Sequence, residues 1–143
     1  MTDESLAILI ASPLEAEHAA RIARHAPGRT RVIYEPGLLA IPRYVADHNG
    51  APRDLSRIER ERWSALLREA DILFDFDRTD AKNLRRNAPK LRWVQATSAG
   101  IGEFVRRNGL DRTDILFTTA AGVHARPLAE FALLGLLYFI RDL

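Results

Sequence analysis

The chain has 143 residues, which suits one globular domain able to bury roughly 70% of the surface its unfolded form exposes. It has no cysteine, so disulfides and thiolate metal sites are excluded and a cytoplasmic location is expected. Formal charge is only +2, and the basic pI comes from arginine outnumbering lysine (Lys82 and Lys90 are the only lysines), so nothing points to a nucleic-acid partner.

The start, MTDESLAILIAS, carries two acids and a short apolar run, and so lacks the basic beginning and long core of a signal peptide. Residues 6–11 (LAILIA) read as a buried strand. Residues 14–25 follow with Leu14, Ala19, Ile22 and Ala23 on one helical stripe, making a β-α unit. Pro27-Gly28 forms a turn and residues 31–35 (RVIYE) a second strand. Between 36 and 55 the composition shifts to Pro, Gly, Asn and Asp, which reads as a loop with a short helical turn. Residues 58–70 are amphipathic, with Ile58, Trp63, Leu66 and Leu67 on the apolar side.

Residues 71–76 (DILFDF) make a third strand, 80–87 a short helix stopped by Pro89, and 91–97 a fourth strand. Leu91, Trp93, Val94 and Ala96 are nearly continuous there, as in a strand covered on both faces. The next residues, Thr97, Ser98, Ala99 and Gly100, put little side chain between a ligand and the main chain. Residues 102–108 form a brief helix ended by Gly109, residues 115–119 (ILFTT) a fifth strand, and a last helix begins at Pro127, a favoured first position. The pairs Arg85-Arg86 and Arg106-Arg107 sit on outer faces of short helices, as solvated charge. This alternation predicts an α/β fold with a parallel sheet of five strands and helices on both faces.

The last helix breaks the pattern. Leu128, Phe131, Leu133, Leu134, Leu136, Leu137, Phe139 and Ile140 point all round its axis, so it requires cover on every side. The sheet can cover one side, leaving the other to a further segment or a second chain. With Glu130 inside it, the run is shorter than the ~20 apolar residues of a membrane span, so no membrane partner is expected.

Four arrangements could carry chemistry. The phrase FDFDRTD (74–80) resembles the DxDxT opening of haloacid-dehalogenase-like phosphohydrolases, with Asp75 as nucleophile, Asp77 as acid/base and Mg²⁺ between carboxylates. That chemistry also needs a later lysine and acidic pair; only Lys82 and Lys90 are present, and no such pair follows. Residues 96–100 (ATSAG) approach a G-x-S-x-G nucleophile elbow, with Asp114 and His124 in triad order but too close in sequence. Gly100-Ile101-Gly102 begins like G-x-G-x-x-G, but Val105 stands where the third glycine belongs.

The fourth is the pair LRWVQATSAGIGEF and TTAAGVHARPLAEFALLGLLYFIRDL. Together these resemble the D-isomer-specific 2-hydroxyacid dehydrogenases, where a strand ending near S-A-G precedes a G-V-H-x-x-P-[LV]-A-E helix at about this separation. Residues 91–143 carry the resemblance, the phrase ADILFDFD matches the strand before it, and residues 1–70 fit in element order. It implies a flavodoxin-like substrate-binding domain over 1–125, then an interdomain and interface helix over 126–143 leading to a Rossmann NAD(P) domain.

The resemblance further implies that main-chain N–H groups of Ser98, Ala99, Gly100 and Ile101 bind the carboxylate of a small 2-oxo or 2-hydroxy acid. His124 and Leu128 would lie near the nicotinamide end of NAD or NADP, with Arg126 and Glu130 on the same helix start. Side chains recognising the rest of the acid are expected from residues 36–49 and the loop after Asp75. In that family the G-x-G-x-x-G and the catalytic Arg, Glu and His come later than the segment matching residues 91–143. The chain is therefore expected to be catalytically incomplete, truncated before the Rossmann domain, with no catalytic residue of its own, and to form a homodimer or self-associate through its last helix. A stand-alone flavodoxin-like binding module and the Mg²⁺ phosphohydrolase remain the alternatives. A receiver-type switch would need acids after the first strand, where Ser12-Pro13 stand.

Overall fold

A computed structural model describes residues 5–142; residues 1–4, with the acidic start, and residue 143 lie outside the described residues. Five parallel strands, β1 (Leu6–Ile10), β2 (Thr30–Ile33), β3 (Ile72–Phe74), β4 (Trp93–Gln95) and β5 (Leu116–Thr118), form one sheet. Their order, β2-β1-β3-β4-β5, is the flavodoxin-like doubly wound order. The helices are α1 (Ala16–His25), α2 (Arg57–Glu69), α3 (Leu84–Asn87), α4 (Gly102–Arg107) and α5 (Ala125–Arg141).

The chain steps outward from β1 to β2, then returns past β1 to β3 and on to β5. Right-handed crossovers therefore put α1 on one face and α2, α3 and α4 on the other. Register partners show how unequally the two faces are covered. Leu9, Leu73, Val94 and Phe117 align across four strands on the α2–α4 face, and the first three are wholly buried. Phe76 joins them, with its ring centroid 4.7 Å from Phe104 of α4 and 5.9 Å from Phe117. Truncating a buried leucine such as Leu73 to alanine costs on the order of 2–5 kcal/mol in such a core.

On the other face the register brings Ile72, Trp93 and Leu116 into line, and beside them Phe74, Gln95 and Thr118. Here α1 covers the β1–β2 side, while Trp93 and Gln95 are half-buried and Leu116 is 60% exposed. The fourth strand is thus fully covered on one face only, not on both as its apolar run implies. A polar chain runs over this open part: Trp93 Nε1 donates to Thr118 Oγ1 at 2.7 Å, and Thr118 Oγ1 donates to Gln95 Oε1 at 2.6 Å.

Helix α2 begins with a capping box, Ser56 Oγ accepting from the Glu59 N–H while the Glu59 carboxylate accepts from the Ser56 N–H. Trp63, Leu66 and Leu67 are its buried stripe. Ile58, expected on that side, falls off the stripe and is exposed, because five residues separate it from Trp63 where helical neighbours are three or four apart.

Residues 36–55 hold the expected short helical turn, a 3₁₀ segment at Pro36–Leu38, and then a compact lobe closed by an antiparallel bridge between Ile41 and Ala51. Gly50, at φ 63°, lies against Ala40 and the Ile41 carbonyl, an approach that leaves no room for a Cβ.

Helix α5 starts at Ala125, two residues before Pro127, which still lies in the first turn where its missing N–H has no helical acceptor. The expectation that the sheet covers one side of this helix is not met. Leu128, Phe131, Leu134, Phe139 and Ile140 are 63–82% exposed, and no α5 residue is buried. Among the described residues, no helix is long and apolar enough to cross a membrane.

Candidate functional site

In a parallel sheet every strand delivers its carboxyl end to the same edge, and that edge collects the loops after β1, β3, β4 and β5. The loop after β4 is the barest of them. Ser98, Ala99 and Gly100 are exposed, Ile101 is half-buried as the residue preceding α4, and the small side chains leave the backbone open. Among the described residues, no protein acceptor takes the main-chain N–H of Ser98, Ala99, Gly100 or Ile101. The loop is nonetheless tied down. Thr97 Oγ1 donates to Asp75 Oδ2 at 3.0 Å, and the Ala120 N–H donates to the Ser98 carbonyl at 3.2 Å. Four successive unsatisfied donors on a restrained backbone can cradle a carboxylate or another small anion.

The two acids after β3 are buried and have architectural partners. Asp75 adopts φ 65°, a left-handed conformation uncommon for a side chain that is not glycine. Its Oδ2 takes the Thr97 bond and lies 3.8 Å from the Arg78 guanidinium. Asp77 Oδ1 accepts from Trp63 Nε1 at 3.2 Å and from Thr79 N and Oγ1 at 3.1 and 2.7 Å, fixing α2 to the turn after β3. Asp75 Oδ1 and Asp77 Oδ2 are buried with no donor among the described residues, as is Ser12 Oγ after β1. Neither Lys82 nor Lys90 pairs with these acids, and no group of three metal-ligating side chains occurs among the described residues. Through Thr97, Trp63 and Thr79, Asp75 and Asp77 tie neighbouring elements together.

Between the ends of β1 and β3, where the strand order reverses, lies a cleft of about 520 Å³. The lobe supplies His48, Asn49 and Arg53 to its wall, α2 supplies Trp63, and the loop after β3 supplies Asp77 and Arg78. His48 Nδ1 lies 3.0 Å from the Pro13 carbonyl, which only accepts, so Nδ1 carries the proton and Nε2 is left for another partner.

The lobe is held by Asp47, buried at its centre. Its carboxylate accepts from Arg43 Nε at 2.7 Å and from the N–H groups of Asn49 and Gly50 at 3.3 and 3.0 Å. The Arg43 guanidinium, and after it the Gly50 N–H, hold this carboxyl far below the usual range. Glu15 is also lowered, chiefly by the Ala46 N–H, which it accepts at 2.9 Å. This second tie fastens the lobe to the residue preceding α1.

Of the residues read from sequence, Ser98 to Ile101 stand together on the β4 loop. His124 and Leu128 lie one turn apart at the start of α5, where the Leu128 N–H donates to the His124 carbonyl at 3.2 Å. The Ala120–Ser98 bond brings the strand leading to α5 beside the loop, but no bond joins His124 to Ser98, Ala99, Gly100 or Ile101. Arg126 pairs with Glu130 at 2.8 Å on the exposed helix. The hydrolase-like triad does not assemble. Asp114 precedes β5, at the opposite edge of the sheet from Ser98, and pairs with Arg85 at 2.9 Å.

The residues after β4 do not fit a dinucleotide. Helix α4 has six residues, and Val105, where a third glycine would be needed, is buried in the core. Sequence reasoning pointed to residues 36–49 and the loop after Asp75, which wall part of the cleft, but not to Arg53 or Trp63, and it did not single out His48, Asn49 and Arg78. No protein-family model and no curated protein matches the chain.

Proposed function

We propose that the chain is the substrate-binding portion of an NAD(P)-dependent 2-hydroxyacid dehydrogenase, which interconverts 2-oxo acids and D-2-hydroxy acids. The observation that carries this reading is the run of four main-chain N–H groups, Ser98 to Ile101, that have no acceptor among the described residues, at the carboxyl end of a central strand. The substrate carboxylate binds there, and the Thr97–Asp75 and Ala120–Ser98 bonds keep the donors in place before it arrives. NAD(P)H, when bound to the enzyme, supplies the hydride. The residues of this chain do not cradle that dinucleotide, and none of them is assigned a proton transfer.

His124 and Leu128 face the cofactor side of the substrate in this reading, and the exposed α5 surface is covered by a second copy of the chain. Titration with a simple 2-oxo acid, followed by amide NMR, tests the assignment. Signals of Ser98, Ala99, Gly100 and Ile101 are expected to shift together. Shifts confined to Asp75 and Asp77 would overturn it in favour of the Mg²⁺ phosphohydrolase.

A further inference from the structure

The cleft between β1 and β3 carries charges of both signs. Arg53 is anchored by its Nε, which donates to the Leu39 carbonyl at 2.9 Å, and it forms no ion pair with any described residue. Glu59 feels its charge but is committed to the Ser56 capping box. Arg78 lies 3.8 Å from Asp75 and 5.7 Å from the centre of the Phe104 ring. Asp77 lines the same cleft, and its Oδ2 is buried with no donor among the described residues. The Asn49 side-chain amide has no partner among the described residues, and Thr79 completes the polar lining.

Each simple class of ligand tail leaves a mismatch here. A negatively charged tail meets the Asp77 carboxylate, and a positively charged one meets Arg53 and Arg78. An apolar tail deprives Arg53, Asn49 and Asp77 of partners, and an unmatched buried polar group is costly. A hydroxyl is uncharged and both donates and accepts, so it suits a wall holding a bare carboxylate oxygen beside guanidinium and amide donors.

We propose that this cleft receives the polyhydroxylated tail of a 2-oxo or 2-hydroxy acid. The proposal rests on the reading above, in which the acid's carboxylate lies at Ser98 to Ile101. The Arg78–Asp75–Thr97 contacts link the two places across the ends of β3 and β4.

Three probes with the same six-carbon backbone separate the possibilities: 2-oxohexanoate, its 4,5,6-trihydroxy counterpart and 2-oxohexanedioate. Each is titrated into the chain and its Kd measured from the amide signals. The trihydroxy acid is expected to bind about tenfold more tightly than 2-oxohexanoate, the effect of roughly one well-made hydrogen bond to a charged group. It should also shift His48, Asn49 and Thr79. Asn49→Ala and Arg53→Gln, both at exposed positions, should each reduce that advantage severalfold. Asp77→Asn should do the same, and because Asp77 holds Trp63 and Thr79 its fold is checked by its amide spectrum.

Equal affinity for all three acids, with shifts at residues 98–101, would overturn the tail pocket alone. Tightest binding of the dicarboxylate would overturn it in favour of an anion pocket. Failure of all three to bind would overturn the tail pocket and the proposed function together.

Discussion

Thr97 Oγ1 donates to Asp75 Oδ2 at 3.0 Å, joining the ends of β3 and β4 through a residue held at φ 65°. The Asp75 N–H donates to the Gln95 carbonyl at 2.8 Å, so backbone and side chain act together at this junction. Thr97→Val keeps the shape and removes the only hydrogen bond that the buried Asp75 carboxylate accepts among the described residues. It is expected to lower stability by about 1–3 kcal/mol in chemical denaturation and to broaden the amide signals of residues 98–101. Thr97→Ser should retain most of both, whereas an unaltered denaturation midpoint for Thr97→Val would show that the tie contributes nothing.

Gly50 governs the lobe. Alanine there would combine a left-handed φ of 63° with a Cβ placed 2.7 Å from the Ala40 Cβ. Gly50→Ala should cost on the order of 2–3 kcal/mol, from backbone strain and overpacking together. Hydrogen exchange should place the loss in residues 39–53 and spare the sheet.

Acid should loosen the same lobe. The Asp47 carboxyl is lowered by Arg43 and the Gly50 N–H, so below an ordinary carboxylate pKa of about 3.9 the unfolded state binds the proton more readily than the folded one. Its stabilising contribution is present above that pH and declines as the pH falls toward the folded-state value. Glu15 acts with the same sign through the Ala46 N–H. Amide exchange at Asn49 and Gly50 should therefore accelerate, relative to the sheet, between pH 5 and about pH 3. Asp47→Asn should abolish this excess acceleration.

Exposed apolar side chains all round α5 should drive self-association. Sedimentation is expected to show concentration-dependent dimers or larger species, and Leu134→Glu with Leu137→Glu should shift them toward monomer. A wild-type chain that stays monomeric at high concentration would contradict this. The core takes no side chain from α5, so the double variant should keep the cooperative unfolding of the sheet.

Strand and helix order was legible because buried parallel strands and amphipathic helices leave periodic traces. Residues 91–97 read as one strand although β4 spans only Trp93–Gln95. Pairing in fact runs on, with the Arg92 N–H donating to the Asp71 carbonyl and the Ala96 N–H to the Thr118 carbonyl, so the difference lies at frayed ends. The third strand stops at Phe74 because Asp75 turns left-handed, which no periodicity records. Asp47 organises the lobe by collecting nearby N–H groups, a local chemistry that hydrophobic patterning does not register. The cleft draws on residues near 50, 63 and 78, and only the reversal of strand order brings them to one wall. The small residues at Ser98 to Gly100 stood out because their plainness is itself a pattern.

The independence of the core from α5 bears on how the chain is made. Synthesis runs from the N-terminus, and the last strand of the sheet ends at Thr118, before any of the helix has emerged. The sheet can close on α1 to α4 without waiting for the stickiest stretch of the chain to emerge. Leu128 to Ile140 take no part in the finished interior and stay exposed on its outside.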